Sequence, residues 1–153
     1  TGESVNLAVP LGREALYLDQ VEGTKLVRLF TAPGSRAPLH ATGVGKVFLA
    51  YLGVPEGLSL TPYTPHTLTR LPDLLRELEA VRGRGYALDN EEKELGVRCV
   101  AAPVFGASGG VVAALSLSAP ASRLSLEEAH RLAPRVVEAA RRASLRLGYT
   151  GEV

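Results

Sequence analysis

The chain contains no tryptophan and no methionine, and a single cysteine among its 153 residues. One thiol, Cys99, cannot close an internal disulfide and cannot build a cysteine-ligated zinc site. No apolar run approaches the roughly 18 residues needed to span a bilayer, and no N-terminal leader pattern is visible. The chain therefore reads as cytoplasmic, with no membrane partner. Neither sign of charge dominates: 17 basic side chains face 16 acidic ones, for a net charge of +1. That balance implies no nucleic-acid footprint for this chain itself. The missing methionine leads us to expect that Thr1 opens a portion of a longer protein.

What is present fits one globular domain over residues 1–153. Hydrophobic residues make up 46 % and charged residues 22 %, and a chain this long buries about two-thirds of its unfolded surface. "SVNLAVPLG" and "EALYLDQVEG" alternate with the period of half-buried strands, the second setting Ala15, Tyr17 and Asp19 against Leu16, Leu18 and Gln20. With "KLVRLF" they predict a three-stranded antiparallel meander. "GVGKVFLAYLG" predicts a helix with Val44, Val47, Phe48 and Tyr51 on one face, closed by Gly53.

A second helix follows in "RLPDLLRELEAVRGRG", with Thr69 as the expected N-cap and Gly83 or Gly85 at its end. "GYALD", "VRCVAAPVF" and "VVAALSLSA" predict three more strands, the last two joined by the hairpin "GASGG". Ser125 and Glu128 have capping-box spacing before a long terminal helix, in which Pro134 predicts a kink or a break. Strands in blocks rather than in strict alternation with helices argue for an α+β fold with one mostly antiparallel six-stranded sheet.

"HATGVGK" invites comparison with a phosphate-binding loop, and the comparison fails. Gly45-Lys46 is followed by Val47, which has no hydroxyl, and the position five before Gly45 is His40. The glycine-bracketed helix start still offers unpaired amides at an electropositive end, suited to a carboxylate; a glycine needed only for packing is the alternative. Ser116 and Ser118 share a strand face and could form a pair of hydrogen-bonding hydroxyls or could face solvent. Cys99 reads as a small buried hydrophobe, since a nucleophile would need a nearby base. Asp89 could cap its loop or accept from a ligand. His40 and His66 read as loop hydrogen-bonders rather than metal ligands.

Together, "PLHATGVGKVFLA", "YTPHTLT", "LLRELEAVRGRGYALDNEEKELGVRCVAAPVF" and "GGVVAALSLSAP" resemble the C-terminal effector-binding domain of the IclR family of bacterial transcriptional regulators. The resemblance implies a GAF-like domain with a curved antiparallel sheet. It also implies a non-enzymatic role: sensing a small organic acid, without a cofactor or metal. Carried over by motif, the ligand contacts would be Gly43 and Val44 through their amides, Asp89, Val97 through its amide, Cys99, Ser116 and Ser118. The family further implies homodimers or tetramers, and DNA binding only through an N-terminal winged helix-turn-helix that this chain lacks. A cysteine-dependent hydrolase and a ligand-free dimerisation module are the competing readings.

Overall fold

The computed structural model describes residues 1–151, so the last two residues of the domain fall outside it. Two strands open the chain, β1 (Ser4–Leu11) and β2 (Glu14–Val21), followed by the short β3 (Arg36–Pro38). Helices α1 (Gly43–Leu52) and α2 (Leu71–Arg84) come next, then β4 (Ala87–Asn90), β5 (Val97–Phe105), β6 (Val111–Pro120) and α3 (Leu126–Arg146). The six strands form one antiparallel sheet in the order β3-β2-β1-β6-β5-β4, curled into a half-barrel. The fold is α+β, as the element order predicts.

Two apolar layers clothe the sheet. On the inner face, Ala8, Ala15, Ala87, Ala101 and Ala114 pack against Val44, Val47, Phe48 and Leu49 of α1 and Leu74, Leu78 and Val81 of α2. Alanine there keeps the sheet surface low, so a helix can approach its backbone closely. Each fully buried leucine or valine contributes about 1.5–3 kcal/mol. The outer face carries larger side chains, Val100, Val104 and Leu117, under the small-residue stripe Ala129, Ala133 and Ala140 of α3.

Several expectations are corrected. "KLVRLF" is not a strand: Leu26 and Phe30 are 94 % and 66 % exposed, and the slot beside β2 is filled by Arg36–Pro38. Thr69 is not the cap of α2; Arg70 holds that position without a side-chain bond, and Gly85, at φ 87°, ends the helix. Pro134 does not break α3, which runs unbroken for 21 residues. Ser125 accepts from the Glu128 N–H at 3.1 Å, but the Glu128 carboxylate pairs with Arg131 instead of completing the box. Finally, β2 does not alternate simply. Asp19 pairs with Leu7 and Tyr17 with Ala8, leaving Leu18 unpaired in a bulge. Gln20 therefore shares the inner face with Tyr17 and Ala15, instead of opposing them.

Candidate functional site

The strand register assembles a polar end on the inner face. One row across the sheet is Asp89, Cys99, Ser118 and Ser4; the next is Ala87, Ala101, Ser116, Asn6 and Gln20. Most of these side chains are polar in a layer that is otherwise alanine and hydrocarbon. The tip of α1 stands over the two rows. A Cβ placed on Gly43 would lie 3.1 Å from Ala101 Cβ and 3.8 Å from Cys99 Cβ, so only glycine lets the helix come this close without displacing a neighbour. Gly45 is tighter still, since a Cβ there would come within 2.4 Å of the Leu39 carbonyl oxygen.

The first turn of α1 leaves two donors over. Thr42, the N-cap, accepts from the Gly45 N–H at 3.1 Å, and its carbonyl takes the Lys46 N–H at 3.0 Å. The Gly43 and Val44 N–H groups have no partner among the described residues, although both residues are buried. No acidic side chain stands in that turn to answer the helix dipole. Lys46 does not face this end as a free cation. It is 1 % exposed, and its ammonium donates to both Glu92 carboxylate oxygens at 2.9 and 3.0 Å, tying α1 to the segment after β4.

A chain of polar contacts runs along the rows. Cys99 Sγ lies 3.1 Å from Ser118 Oγ, Asn6 Nδ2 donates to Ser118 Oγ at 3.5 Å, and Gln20 Nε2 donates to Asn6 Oδ1 at 2.9 Å. Ser116 is buried and its hydroxyl has no partner among the described residues. Asp89 Oδ1 accepts from the Glu92 N–H at 2.8 Å, the loop-capping role read from its spacing. Burial nevertheless pushes its carboxyl up to about 7, against the pull of that N–H and of Lys46. Burial also drives the Cys99 thiol well above its ordinary range, with the Asp89 charge adding to the effect. Cys99 keeps some accessible surface, yet protein surrounds it at longer range, and it stays a neutral thiol.

The structure thus gathers Gly43, Val44, Asp89, Cys99, Ser116 and Ser118 into one cluster. Val97 ends the β5 side of it, but its N–H is already engaged with the Glu94 carbonyl at 3.3 Å. Asn6, Gln20 and Tyr17 belong to the same face, and sequence reasoning misses all three. Asn6 carries a signal, as a lone amide within an apolar strand; Tyr17 follows the parity of Ala15, and Gln20 depends on the bulge. The histidines lie apart. His40 Nε2 bonds the Thr61 carbonyl at 2.8 Å, His130 bonds Tyr86, and neither reaches Cys99. No group of three or more His, Cys, Asp or Glu side chains is placed to hold a metal among the described residues. A groove of about 470 Å³ between Leu115, Leu117 and Pro134 touches Ser116 but none of Gly43, Val44, Asp89, Cys99 or Ser118.

The family model described as "Bacterial transcriptional regulator IclR C-terminal" matches residues 1–145. The chain belongs to the IclR family. It is 40 % identical over 155 residues to the HTH-type transcriptional regulator XynR of Escherichia coli, covering 97 % of this chain and 62 % of XynR. The Thermotoga maritima IclR structure superposes with a TM-score of 0.88 at 39 % identity, covering 97 % of this chain and 63 % of that one. The inducer-binding domain of an Acinetobacter PobR double mutant, in complex with 3-hydroxybenzoic acid, superposes with a TM-score of 0.81 at 29 % identity, over 97 % and 89 % of the two chains. The chain thus spans about six-tenths of XynR and of the Thermotoga protein, and it corresponds to the effector-binding domain of an IclR-family regulator. No described helix is long and apolar enough to cross a membrane.

Proposed function

We propose that this domain binds a small organic acid, with the carboxylate on the Gly43 and Val44 amides and the rest of the molecule over Cys99, Ser116, Ser118 and Asp89. The observation that carries the reading is the pair of unpartnered N–H groups on the buried residues Gly43 and Val44 at the start of α1. A buried helix end without partners is destabilising, and a carboxylate would supply charge-assisted bonds of about 1.5–3 kcal/mol each. Asp89, held near half-protonation at neutral pH, can donate to a ligand oxygen instead of repelling it. Val97 would join the contacts only by giving up its bond to Glu94. Asp89, Ser116 and Ser118 are buried while Cys99 keeps some accessible surface, so a ligand would reach them past Cys99.

The role is regulatory rather than enzymatic. A cysteine nucleophile needs a thiolate and a base; here burial disfavours the thiolate, and the sulfur's hydrogen-bond partner is the Ser118 hydroxyl, which is no base. The ligand would bias the domain between conformations by about 1–3 kcal/mol of coupling and so alter DNA binding by a helix-turn-helix segment outside this chain. Homodimers or tetramers would form through this domain, a reading supported by the exposed Leu26, Val27 and Phe30.

The test is a thermal-shift screen of carboxylic acids, repeated on Val44→Pro. Proline at this second helical position mirrors Pro72 in α2 and removes one donor without removing the helix. An acid that raises the melting temperature should bind Val44→Pro at least about tenfold more weakly, with unchanged helicity by circular dichroism. Equal binding to both proteins would refute the amide site.

A further inference from the structure

The bulge in β2 does more than bend an edge of the sheet. Without it, Gln20 would share a face with Leu18 and Leu16, and Tyr17 would point the other way. With Leu18 looped out and 47 % exposed, Tyr17 stands opposite Ala8 and Gln20 opposite Asn6, both on the polar inner face. Bulges are enriched beside binding sites because they re-aim side chains in this manner.

Each re-aimed side chain has spare hydrogen-bonding capacity. The Gln20 amide spends its N–H on Asn6, while its carbonyl oxygen Oε1 is buried with no partner among the described residues. An unpaired buried acceptor is destabilising unless something donates to it. The Tyr17 hydroxyl makes no hydrogen bond to a described residue and, unlike Gln20 Oε1, is not sealed from solvent. Burial and the nearby Cys99 and Asp89 push its ionisation up, so it stays a neutral donor. Acceptor and donor thus lie on the same strand, β2, two strands beyond the β6 strand that carries Ser116 and Ser118.

We propose that Tyr17 and Gln20, brought to one face by the β2 bulge, form a second polar subsite that holds a hydroxyl at the end of the ligand remote from its carboxylate. The hydroxyl donates to Gln20 Oε1 and accepts from the Tyr17 phenol. This rests on the carboxylate reading above and narrows the ligand class to acids with a distal hydroxyl. Its length follows from the sheet. From Cys99 and Ala101 on β5 to Asn6 on β1, where the Gln20 amide rests, is two strand spacings, roughly 9–10 Å. A chain of five or six carbons bridges that distance.

The experiment uses matched acids with and without the terminal hydroxyl: pentanoate with 5-hydroxypentanoate, and hexanoate with 6-hydroxyhexanoate. Each is titrated calorimetrically at millimolar concentration against the protein, Gln20→Met and Tyr17→Phe. At one length or both, the hydroxylated acid should bind the unaltered protein about tenfold more tightly than its parent. Each variant should lose most of that preference while binding the parent acid as before. Two separate variants guard against a folding defect in either, and parent-acid binding reports the integrity of the first site. If the parent acids bind but the hydroxyl adds nothing, or if its advantage survives both substitutions, the second subsite is wrong and the carboxylate site stands. If none of the four acids binds, the carboxylate reading falls and this one with it.

Discussion

Helices α1 and α3 begin alike and end in different uses. Each has a hydroxyl N-cap that accepts the third amide of the helix at 3.1 Å, Thr42 in one and Ser125 in the other. At α3 the rest of the first turn faces solvent, and Glu127 and Glu128 stand there to answer the dipole. At α1 the first turn is buried, has no acid, and keeps two amides unpaired over a polar patch of sheet. The same capping chemistry therefore finishes one helix and leaves the other open. What differs is the alanine-lined surface and the glycines that let α1 descend onto it.

The contrast is broken most severely by closing the descent. Gly45→Ala would drive a methyl into the Leu39 backbone, and we expect a loss of about 5 kcal/mol, seen as a collapsed midpoint in urea unfolding. A change in the first turn of α3, Glu127→Ala, should by comparison be nearly silent.

A pH series sharpens the comparison next. The Asp89 carboxyl sits at about 7 in the fold against an ordinary value near 4 when unfolded. The folded state therefore holds the proton more tightly, and stability falls as pH rises from about 4 to 7, then levels off. The full effect is at most about 4 kcal/mol. Asp89→Asn should flatten the slope in calorimetric unfolding between pH 5 and 8. It should also flatten a decline in acid binding above pH 7, where an ionised Asp89 would repel the ligand.

The caps give the smallest effects. Thr42 also donates to the Pro38 carbonyl at 2.8 Å, so Thr42→Ala should lose about 2 kcal/mol and Ser125→Ala about 1. Thermal unfolding that ranks the two the other way would contradict the buried, dependent character assigned to α1.

Much of this arrangement is legible in the order of residues along the chain. Apolar periodicity and glycines bound α1, and Ser125 starts α3. Ser116, Ser118, Cys99 and Asp89 align once the strands are paired, since each falls on the right parity. The failures have a common cause in non-local pairing. "KLVRLF" has the composition of a strand, but the place beside β2 is taken by Arg36–Pro38, fixed by the bond from the Tyr17 N–H to the Ser35 carbonyl at 3.0 Å. The bulge at Leu18 arises from how β1 and β2 match, which neither strand encodes alone, so parity places Tyr17 with Ala15 but misplaces Gln20. Pro134 is absorbed because α3 is held along its length by packing of Ala129, Ala133, Val136 and Ala140. Lys46 resembles a remnant of a phosphate loop in sequence; its partner Glu92 lies 46 positions away.

That pairing constrains how the sequence can change. With Lys46 and Glu92 both sealed from water, replacing either alone strands its counterpart, a loss of about 3–5 kcal/mol, whereas exchanging both for hydrocarbon of like volume is often neutral. Substitution at the two positions must therefore arrive together or not at all, and a library randomising either one by itself should return only the parental residue.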